Sequence, residues 1–210
     1  CLNKLNQLFL DLKIKKNVHF DQTYHEIHHN PEREIWVKSV LKIKKAIQNQ
    51  FVEKVVLARQ SDFLFDNILS PFLLIKEVQE EDGGVYNFCI KLSKDKAFIG
   101  GTPERLFEIK QSCIKSDALA GTAFKQAGSD VEKIKQRLLN SKKNIGEHQY
   151  VVEFIESKFN GLCKDWSRDD KRSLIELKYL LHLVAHFSGE LNDEFDWLDC
   201  MEALHPTPAV

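Results

Sequence analysis

A single lysine stands directly before an apolar run, at residues 54–59 (KVVLAR). In isolation, such a lysine is more often a cation whose aliphatic stem lies along apolar neighbours while its amine stays in water. If Val55, Val56 and Leu57 partly exclude water from the amine, the pKa of Lys54 falls toward neutrality. The chemistry that this segment could supply is therefore general-base catalysis.

A carboxylate follows a glycine-proline turn at residues 100–105 (GGTPER), between two predicted strands. Glu104 could be an ordinary charge at the rim of a sheet. It could also be a general acid, because a carboxyl group that a turn places in a poorly hydrated cleft keeps its proton at working pH. Lys54 and Glu104 are thus a candidate base and acid.

Small residues end a further predicted strand at residues 118–123 (ALAGTA). Gly121 and Thr122 would let the backbone approach a ligand closely and would leave amide N–H groups available for an anion. Glu147 lies near the start of a predicted helix. It is either an exposed helical carboxylate or a ligand for a hard cation such as Mg²⁺, which usually takes one or two protein carboxylates and keeps several waters.

Two histidines stand in unusual surroundings. His182 lies in an apolar strand pattern, where a hydrogen-bonded core histidine is the simplest interpretation. His205 comes directly before Pro206, Thr207 and Pro208. Because proline fixes φ and has no N–H to donate, residues 204–210 should form a rigid irregular loop. Such a loop normally continues into another element and residue 1 is not methionine, so we expect an internal piece of a longer protein.

The composition is that of a globular domain, with 43% hydrophobic and 29% charged residues among 210. The formal charge of −1 gives no overall field for nucleic acid or an anionic membrane surface. No apolar run approaches the roughly 20 residues of a membrane helix. Five cysteines without a C-x-x-C pair argue against a disulfide framework or a zinc knuckle, so a reducing, cytoplasmic setting is the simplest expectation.

Apolar periodicity predicts the elements that must position these residues. An amphipathic helix is expected at 32–51, followed by a strand buried on both faces at 54–59. Antiparallel strands should then occupy the middle of the chain, and two helices should precede the last strands. The sequence therefore predicts an α+β fold with an antiparallel core flanked by helices, in which residues 1–31 lead into a domain at 32–210. The predicted helices are 32–51, 71–78, 131–139, 141–159 and 195–204, and the predicted strands are 54–59, 85–92, 97–99, 105–110, 113–119, 174–177 and 182–191, with a turn at 82–84.

Six blocks, taken together and in order, resemble the chorismate-binding enzyme family. They cover the chain after Glu32, and the resemblance implies a helix-flanked sandwich of antiparallel sheets, incomplete at the C-terminus of this chain. The family includes isochorismate, salicylate, anthranilate and aminodeoxychorismate synthases. The blocks are 54–59 (KVVLAR), 98–106 (FIGGTPERL), 118–122 (ALAGT), Glu147-His148 with Val151-Val152, His182-Leu183 with 189–191 (GEL), and 204–210 (LHPTPAV).

Two positions favour one reaction within this family. Ala120 stands where aminodeoxychorismate synthases carry a nucleophilic lysine, and Ala209 stands where members that eliminate pyruvate or use ammonia tend to have threonine. The resemblance therefore implies conversion of chorismate to isochorismate, which in the family serves menaquinone or siderophore synthesis. A salicylate or anthranilate synthase, and a non-catalytic binding module with this fold, stay open as alternatives.

The resemblance also implies roles for the candidate residues. Lys54 would deprotonate a water that attacks C2 of chorismate, and Glu104 would protonate the departing C4 hydroxyl. Glu147 would hold Mg²⁺, which clamps the ring carboxylate. The residues that would contact the substrate are Gly121, Thr122, His182, His205 and Ala209. A second magnesium carboxylate lies beyond residue 210 in the family, so we expect weak magnesium binding and an inactive fragment.

Overall fold

Helices and strands do not alternate regularly along the chain, and runs of consecutive strands lie between residues 86 and 124 and between residues 163 and 191. A computed structural model describes residues 24–81, 85–126, 128–169 and 172–209. The strands are β1 (Tyr24–Asn30), β2 (Gln60–Phe65), β3 (Tyr86–Lys91), β4 (Ala97–Thr102), β5 (Glu108–Lys110), β6 (Cys113–Phe124), β7 (Cys163–Arg168), β8 (Ser173–Glu176) and β9 (Leu180–Leu191). The helices are α1 (Arg33–Gln48), α2 (Pro71–Glu81), α3 (Val131–Leu139), α4 (Lys142–Leu162) and α5 (Trp197–Leu204).

The largest sheet is antiparallel and has the strand order β5-β6-β9-β7, with β8 also paired to β9. Strands β6 and β9 are 12 residues each and form its centre. Alternate residues of β6, such as Ile114, Ser116 and Ala118, are buried on one face because successive side chains of a strand point to opposite sides. The register between β6 and β9 shifts between Ala120 and Thr122, which places an irregularity beside the candidate site.

Helix α4 packs on that sheet and forms the main core. Its buried residues Val151, Val152, Ile155 and Phe159 recur at helical spacing and share one cluster with residues of β6 and β9. Full burial of each of these side chains contributes roughly 1.5–3 kcal/mol relative to an exposed position. The helix begins at the N-cap Ser141, whose hydroxyl accepts a hydrogen bond from the Asn144 N–H.

The first part of the chain has a different character. Strands β1 and β2 form one two-stranded antiparallel sheet, and β3 and β4 form another. No residue of 24–113 whose burial the structure describes is buried, whereas every described core residue lies in the later part. The predicted α+β class with antiparallel sheets and flanking helices is confirmed. Among the helices of the described chain, none is both long and apolar enough to cross a membrane.

The structure corrects several predicted elements. Residues 54–59 are not a strand but irregular extended chain, and the strand of this region is β2. Val55 and Val56 are 42% and 53% exposed, so the expected burial on both faces is wrong as well. A short apolar run defines a buried strand only when neighbours cover it, and in the described chain 54–59 has no ladder partner.

Besides β2, two further strands were not predicted, and one strand begins late. The sequences of β1 (YHEIHHN) and β7 (CKDWSR) contain too few apolar residues to show a strand period. The strand predicted at 105–110 begins only at Glu108, because residues 103–107 after Thr102 are irregular. The turn predicted at 82–84 lies outside the described residues, as do residues 1–23. The division into 1–31 and 32–210 stays a prediction.

Candidate active site

Seven of the eight predicted site residues line one cavity of about 560 Å³. The cavity lies between the 54–59 segment, the turn after β4, the end of β6, the first turns of α4, and β9. A larger groove of about 760 Å³ lies beside α3 and contains none of the predicted residues. The smaller cavity is therefore the candidate site. Its predicted members are Lys54, Glu104, Gly121, Thr122, Glu147, His182 and Ala209.

Glu104 lies in the irregular segment between β4 and β5. Its backbone N–H donates to Thr102 Oγ1 at 3.1 Å, which shapes the turn that carries it. Burial raises the pKa of Glu104 above the ordinary glutamate value, and the negative charge of Asp117 raises it further. A raised pKa is what a proton donor requires, so the environment of Glu104 suits an acid.

The segment that carries Glu104 is fastened to β6 by side chains. Arg105 Nε and Nη2 donate to the two carboxylate oxygens of Asp117, each at 3.1 Å. Ser116 Oγ donates to the Leu106 carbonyl at 2.6 Å. Asp117 was not predicted from the sequence, although a carboxylate directly before the small and apolar residues 118–123 could have drawn attention to it.

Lys54 joins the irregular segment 54–59 to the last loop. Its Nζ donates to the backbone carbonyl of Pro208, and its side chain is partly buried. The next residue, Ala209, lines the cavity, and its N–H donates to Thr207 Oγ1 at 3.3 Å. The candidate base and the loop are therefore brought together by a contact that is distant in sequence.

The irregularity of β6 forms the floor of the cavity. Gly121 has φ +77°, a conformation that side chains rarely adopt, and a Cβ here would lie only 3.0 Å from the Asn144 carbonyl oxygen. Thr122 pairs with His182 across the two strands, and Thr122 Oγ1 lies 3.0 Å from His182 Nδ1. Burial lowers the pKa of His182, which favours its neutral form.

Glu147 lies on α4, one residue before a buried anchor. His148 is 0% exposed, and its Nε2 lies 3.2 Å from the Ala118 carbonyl oxygen of β6. This contact holds the first turns of α4 against the strand that ends in Gly121. Glu147 itself is partly exposed and forms an ion pair with Lys143 at 3.1 Å. Its carboxylate therefore reaches the cavity from a fixed helix.

A known protein family matches nearly the whole chain. The family model described as chorismate binding enzyme matches residues 2–210. The chain belongs to the chorismate-binding enzyme family.

Two curated members of this family are close relatives. The chain is 32% identical over 183 residues to the chloroplastic isochorismate synthase of Catharanthus roseus, covering 86% of this chain and 32% of that protein. It is 31% identical over 180 residues to the isochorismate synthase MenF of Bacillus subtilis, covering 85% of this chain and 38% of that protein. The chain thus spans about a third of the length of these relatives.

One solved structure of this family shows the same fold. It is the menaquinone-specific isochorismate synthase MenF of Escherichia coli, with a TM-score of 0.80 and 22% identity. The match covers 100% of this chain and 49% of that one. The antiparallel sheets and flanking helices described above are therefore a part of the chorismate-binding enzyme fold.

Glu147 is the member of the site that fits a metal ion. A carboxylate oxygen on a fixed helix is the type of ligand that Mg²⁺ takes. Within the ranges that the structure describes, no group of three or more His, Cys, Asp or Glu side chains is close enough to hold a metal ion. A magnesium ion at this cavity would therefore have one candidate carboxylate ligand among the described residues rather than a complete set.

His205 is the predicted site residue that does not line the cavity. It is exposed, and its backbone N–H donates to the Met201 carbonyl at the end of α5. The chain turns at Pro206 after this helix cap, so the loop presents Ala209 and the Pro208 carbonyl to the site instead. The expected substrate contact of His205 is therefore not supported by its position.

Proposed function

We propose that this chain carries the catalytic acid and base of an isochorismate synthase. The observation that supports this most directly is that Lys54 and Glu104, 50 positions apart in sequence, line one cavity with the Gly121-Thr122 bulge. The two curated relatives named above are isochorismate synthases, which favours this reaction among those of the family.

The proposed reaction exchanges hydroxyl groups on a cyclohexadiene ring. Lys54 takes a proton from a water molecule whose oxygen attacks C2 of chorismate. The ring double bonds shift, and the C4 hydroxyl leaves as water after Glu104 gives it a proton. One water enters and one leaves, so chorismate and isochorismate have the same composition and no oxidant is required.

The surroundings of Glu104 suit its role, and the hydrogen bond of Lys54 is compatible with action as a base. Burial and Asp117 favour the protonated form of Glu104. A neutral Lys54 amine can keep an N–H donor on the Pro208 carbonyl while its lone pair accepts a proton. Backbone N–H groups near Gly121, together with the Thr122 hydroxyl, would bind a carboxylate of the substrate. His182, in its neutral form, would contact the substrate from β9.

We also propose that Glu147 binds Mg²⁺. When bound, the metal would hold the ring carboxylate of chorismate and orient the ring. Because Glu147 is a single ligand and Lys143 competes for it, binding to this chain should be weak. Magnesium titration by calorimetry should show a heat that Glu147→Gln removes and that Glu156→Gln, on the same helix, retains. Equal heats in both variants would contradict the assignment.

Product analysis tests the proposed reaction. Chorismate is incubated with the longest natural form of the protein and Mg²⁺, and the products are separated by chromatography. Isochorismate is expected. Salicylate with pyruvate, or anthranilate when ammonia is supplied, would assign one of the other reactions, and no product would support a non-catalytic module.

Single substitutions test the roles of the two residues. Lys54→Ala and Glu104→Ala should each lower kcat by about 10²–10⁴-fold, the usual contribution of general acid–base catalysis. The free energy of unfolding should change little, since neither residue belongs to the core. Lys42→Ala and Glu34→Ala, at exposed positions of α1, serve as matched controls. Wild-type rates in either active-site variant would overturn the assignment.

A further inference from the structure

A nearly buried carboxylate lies behind the candidate acid and has no role in the reaction proposed above. Asp117, on β6, is 8% exposed. Its two oxygens accept the two hydrogen bonds from Arg105, and His186 Nδ1 lies 2.7 Å from Oδ1. A buried carboxylate is costly unless it is paired, so this arrangement of two partners around one charge calls for an explanation.

The partners of Asp117 come from different elements. His186 lies directly opposite on β9, in the register of the central ladder. Arg105 comes from the irregular segment after β4 and follows Glu104 in the chain. Arg105 Nη1 also donates to Glu108 Oε2 at 2.8 Å. The guanidinium is therefore held by two carboxylates on the side of β5 and β6.

The hydrogen bonds of Arg105 to Asp117 and Glu108 fix where its positive charge lies relative to Glu104. An unpaired guanidinium one residue from Glu104 could form an ion pair with it, which would favour loss of its proton. The other charged or titratable groups that line the cavity with Glu104 are Lys54 from the 54–59 segment, Glu147 from α4 and His182 from β9. Of the cationic side chains named here, that of Arg105 belongs to the residue nearest to Glu104 in sequence.

We infer that Asp117 is a positioning residue for the reaction: it holds Arg105 away from Glu104, so that Glu104 remains a proton donor in the cavity. The inference rests on the proposed function, in which Glu104 is the acid. His186 completes the cluster as a second partner for the Asp117 carboxylate. The raised pKa of Glu104, to which Asp117 contributes after burial, is consistent with this role.

Two substitutions should shift the pKa of Glu104 in opposite directions. Asp117→Asn keeps the shape of the side chain but removes its charge and loosens Arg105, so the pKa of Glu104 should fall by about one pH unit. Arg105→Gln removes the cation and leaves Asp117 charged, so the pKa of Glu104 should rise. A role confined to folding would not produce shifts of opposite sign.

The titration is measurable without turnover. Proteins labelled with ¹³C at the glutamate carboxyl are titrated by NMR, and Glu104→Gln identifies the Glu104 signal by its loss. Glu108→Gln is the matched control, because it removes the other carboxylate of Arg105 and leaves Asp117 in place. Unchanged Glu104 titration in Asp117→Asn, or shifts of the same sign in both variants, would overturn the inference.

The rate profile gives a second test in the active protein. Activity that requires protonated Glu104 declines as pH rises through its pKa. In Asp117→Asn this decline should begin about one pH unit lower, with KM nearly unchanged. Asp117→Glu, which retains the charge, should restore much of the wild-type profile. If the wild type itself does not convert chorismate, the proposed function fails, while the NMR titration still decides the role of Asp117.

Discussion

The two parts of this chain differ in how they are held together and in what they supply to the site. No residue of 24–113 whose burial the structure describes is buried, yet this part supplies Lys54 and Glu104. Residues 114–209 contain every described core residue and supply the bulge at Gly121, Glu147 and His182. The binding surface is therefore part of a packed frame, whereas the acid and base belong to a part without its own core.

The contacts that join the two parts include side-chain hydrogen bonds, beside the β5–β6 ladder and the packing of Leu106, Phe107 and Ile109 against the core. Lys54 donates to the Pro208 carbonyl, Arg105 to Asp117, and Ser116 to the Leu106 carbonyl. Such bonds contribute about 0.5–1.5 kcal/mol each, or more where a charge is involved. They can place a carboxyl group accurately while adding little to the free energy of unfolding.

The largest expected effect is a difference in the free energy of unfolding between matched truncations, one in each part of the chain. Phe159 is 0% exposed and belongs to the core cluster, whereas Phe98 on β4 is 59% exposed. Phe159→Ala should lower the free energy of unfolding by about 3–5 kcal/mol, because it removes buried area and leaves a cavity. Phe98→Ala should cost under about 1 kcal/mol.

Urea denaturation of the 210-residue chain measures both truncations, with intrinsic fluorescence as the signal. Ile90→Ala, on β3 and 53% exposed, is a second control from the first part. Comparable losses for Phe98→Ala and Phe159→Ala would mean that the first part has a core of its own, and the comparison between the two parts would fail.

A smaller effect is expected where the packed frame meets the cavity. Gly121 and Gly128 both have positive φ, +77° and +78°, but only Gly121 is crowded, with Asn144 and Leu183 atoms 3.0–3.2 Å from the position that a Cβ would occupy. Gly121→Ala should cost about 2–3 kcal/mol and raise KM, since it adds a clash to the backbone strain. Gly128→Ala, with no atom within 4 Å, should cost only about 1 kcal/mol.

Thermal unfolding and substrate titration measure these two glycine variants. Both positions share a preference for positive φ. The difference in stability loss between the two variants therefore measures the effect of crowding at Gly121, where α4 approaches β6 closely. Equal losses of stability would show that backbone conformation alone matters at Gly121.

The sequence predicted the packed part better than the other. Helix α4 was expected at 141–159 and is Lys142–Leu162, because its apolar spacing reflects burial in this chain. The segment 54–59 was predicted wrongly, because its apolar residues were expected to be covered and are exposed. A short apolar run such as 54–59 predicts a buried strand only where a partner strand pairs with it.

The site residues were found by another route. Resemblance to a family identified Lys54 and Glu104 from their order along the chain, and the structure brings both to one cavity. Asp117 could not be found in this way. Its role depends on the register that sets it opposite His186 and on the path of Arg105, neither of which a single sequence determines.

The smallest expected effect is a pH-dependent one, at the acid itself. Because the pKa of Glu104 is raised above 4.5 in the folded chain, folding favours its protonated form. Stability is then lost as pH rises from 4.5 through the raised value, when the partly buried carboxyl must ionise near Asp117. Glu104→Gln avoids this loss, so its Tm should exceed that of the wild type at pH 8, by roughly 2 °C, and match it at low pH.

Glu108 provides the opposite sign, because Lys110 and then Arg105 lower its pKa. Glu108→Gln should therefore lower Tm at pH 8 and have no effect at low pH. Thermal melts of both variants across this range would show whether a charge at residue 104 lowers the Tm of the folded chain. Such a loss is expected of a proton donor, because its environment favours the protonated form.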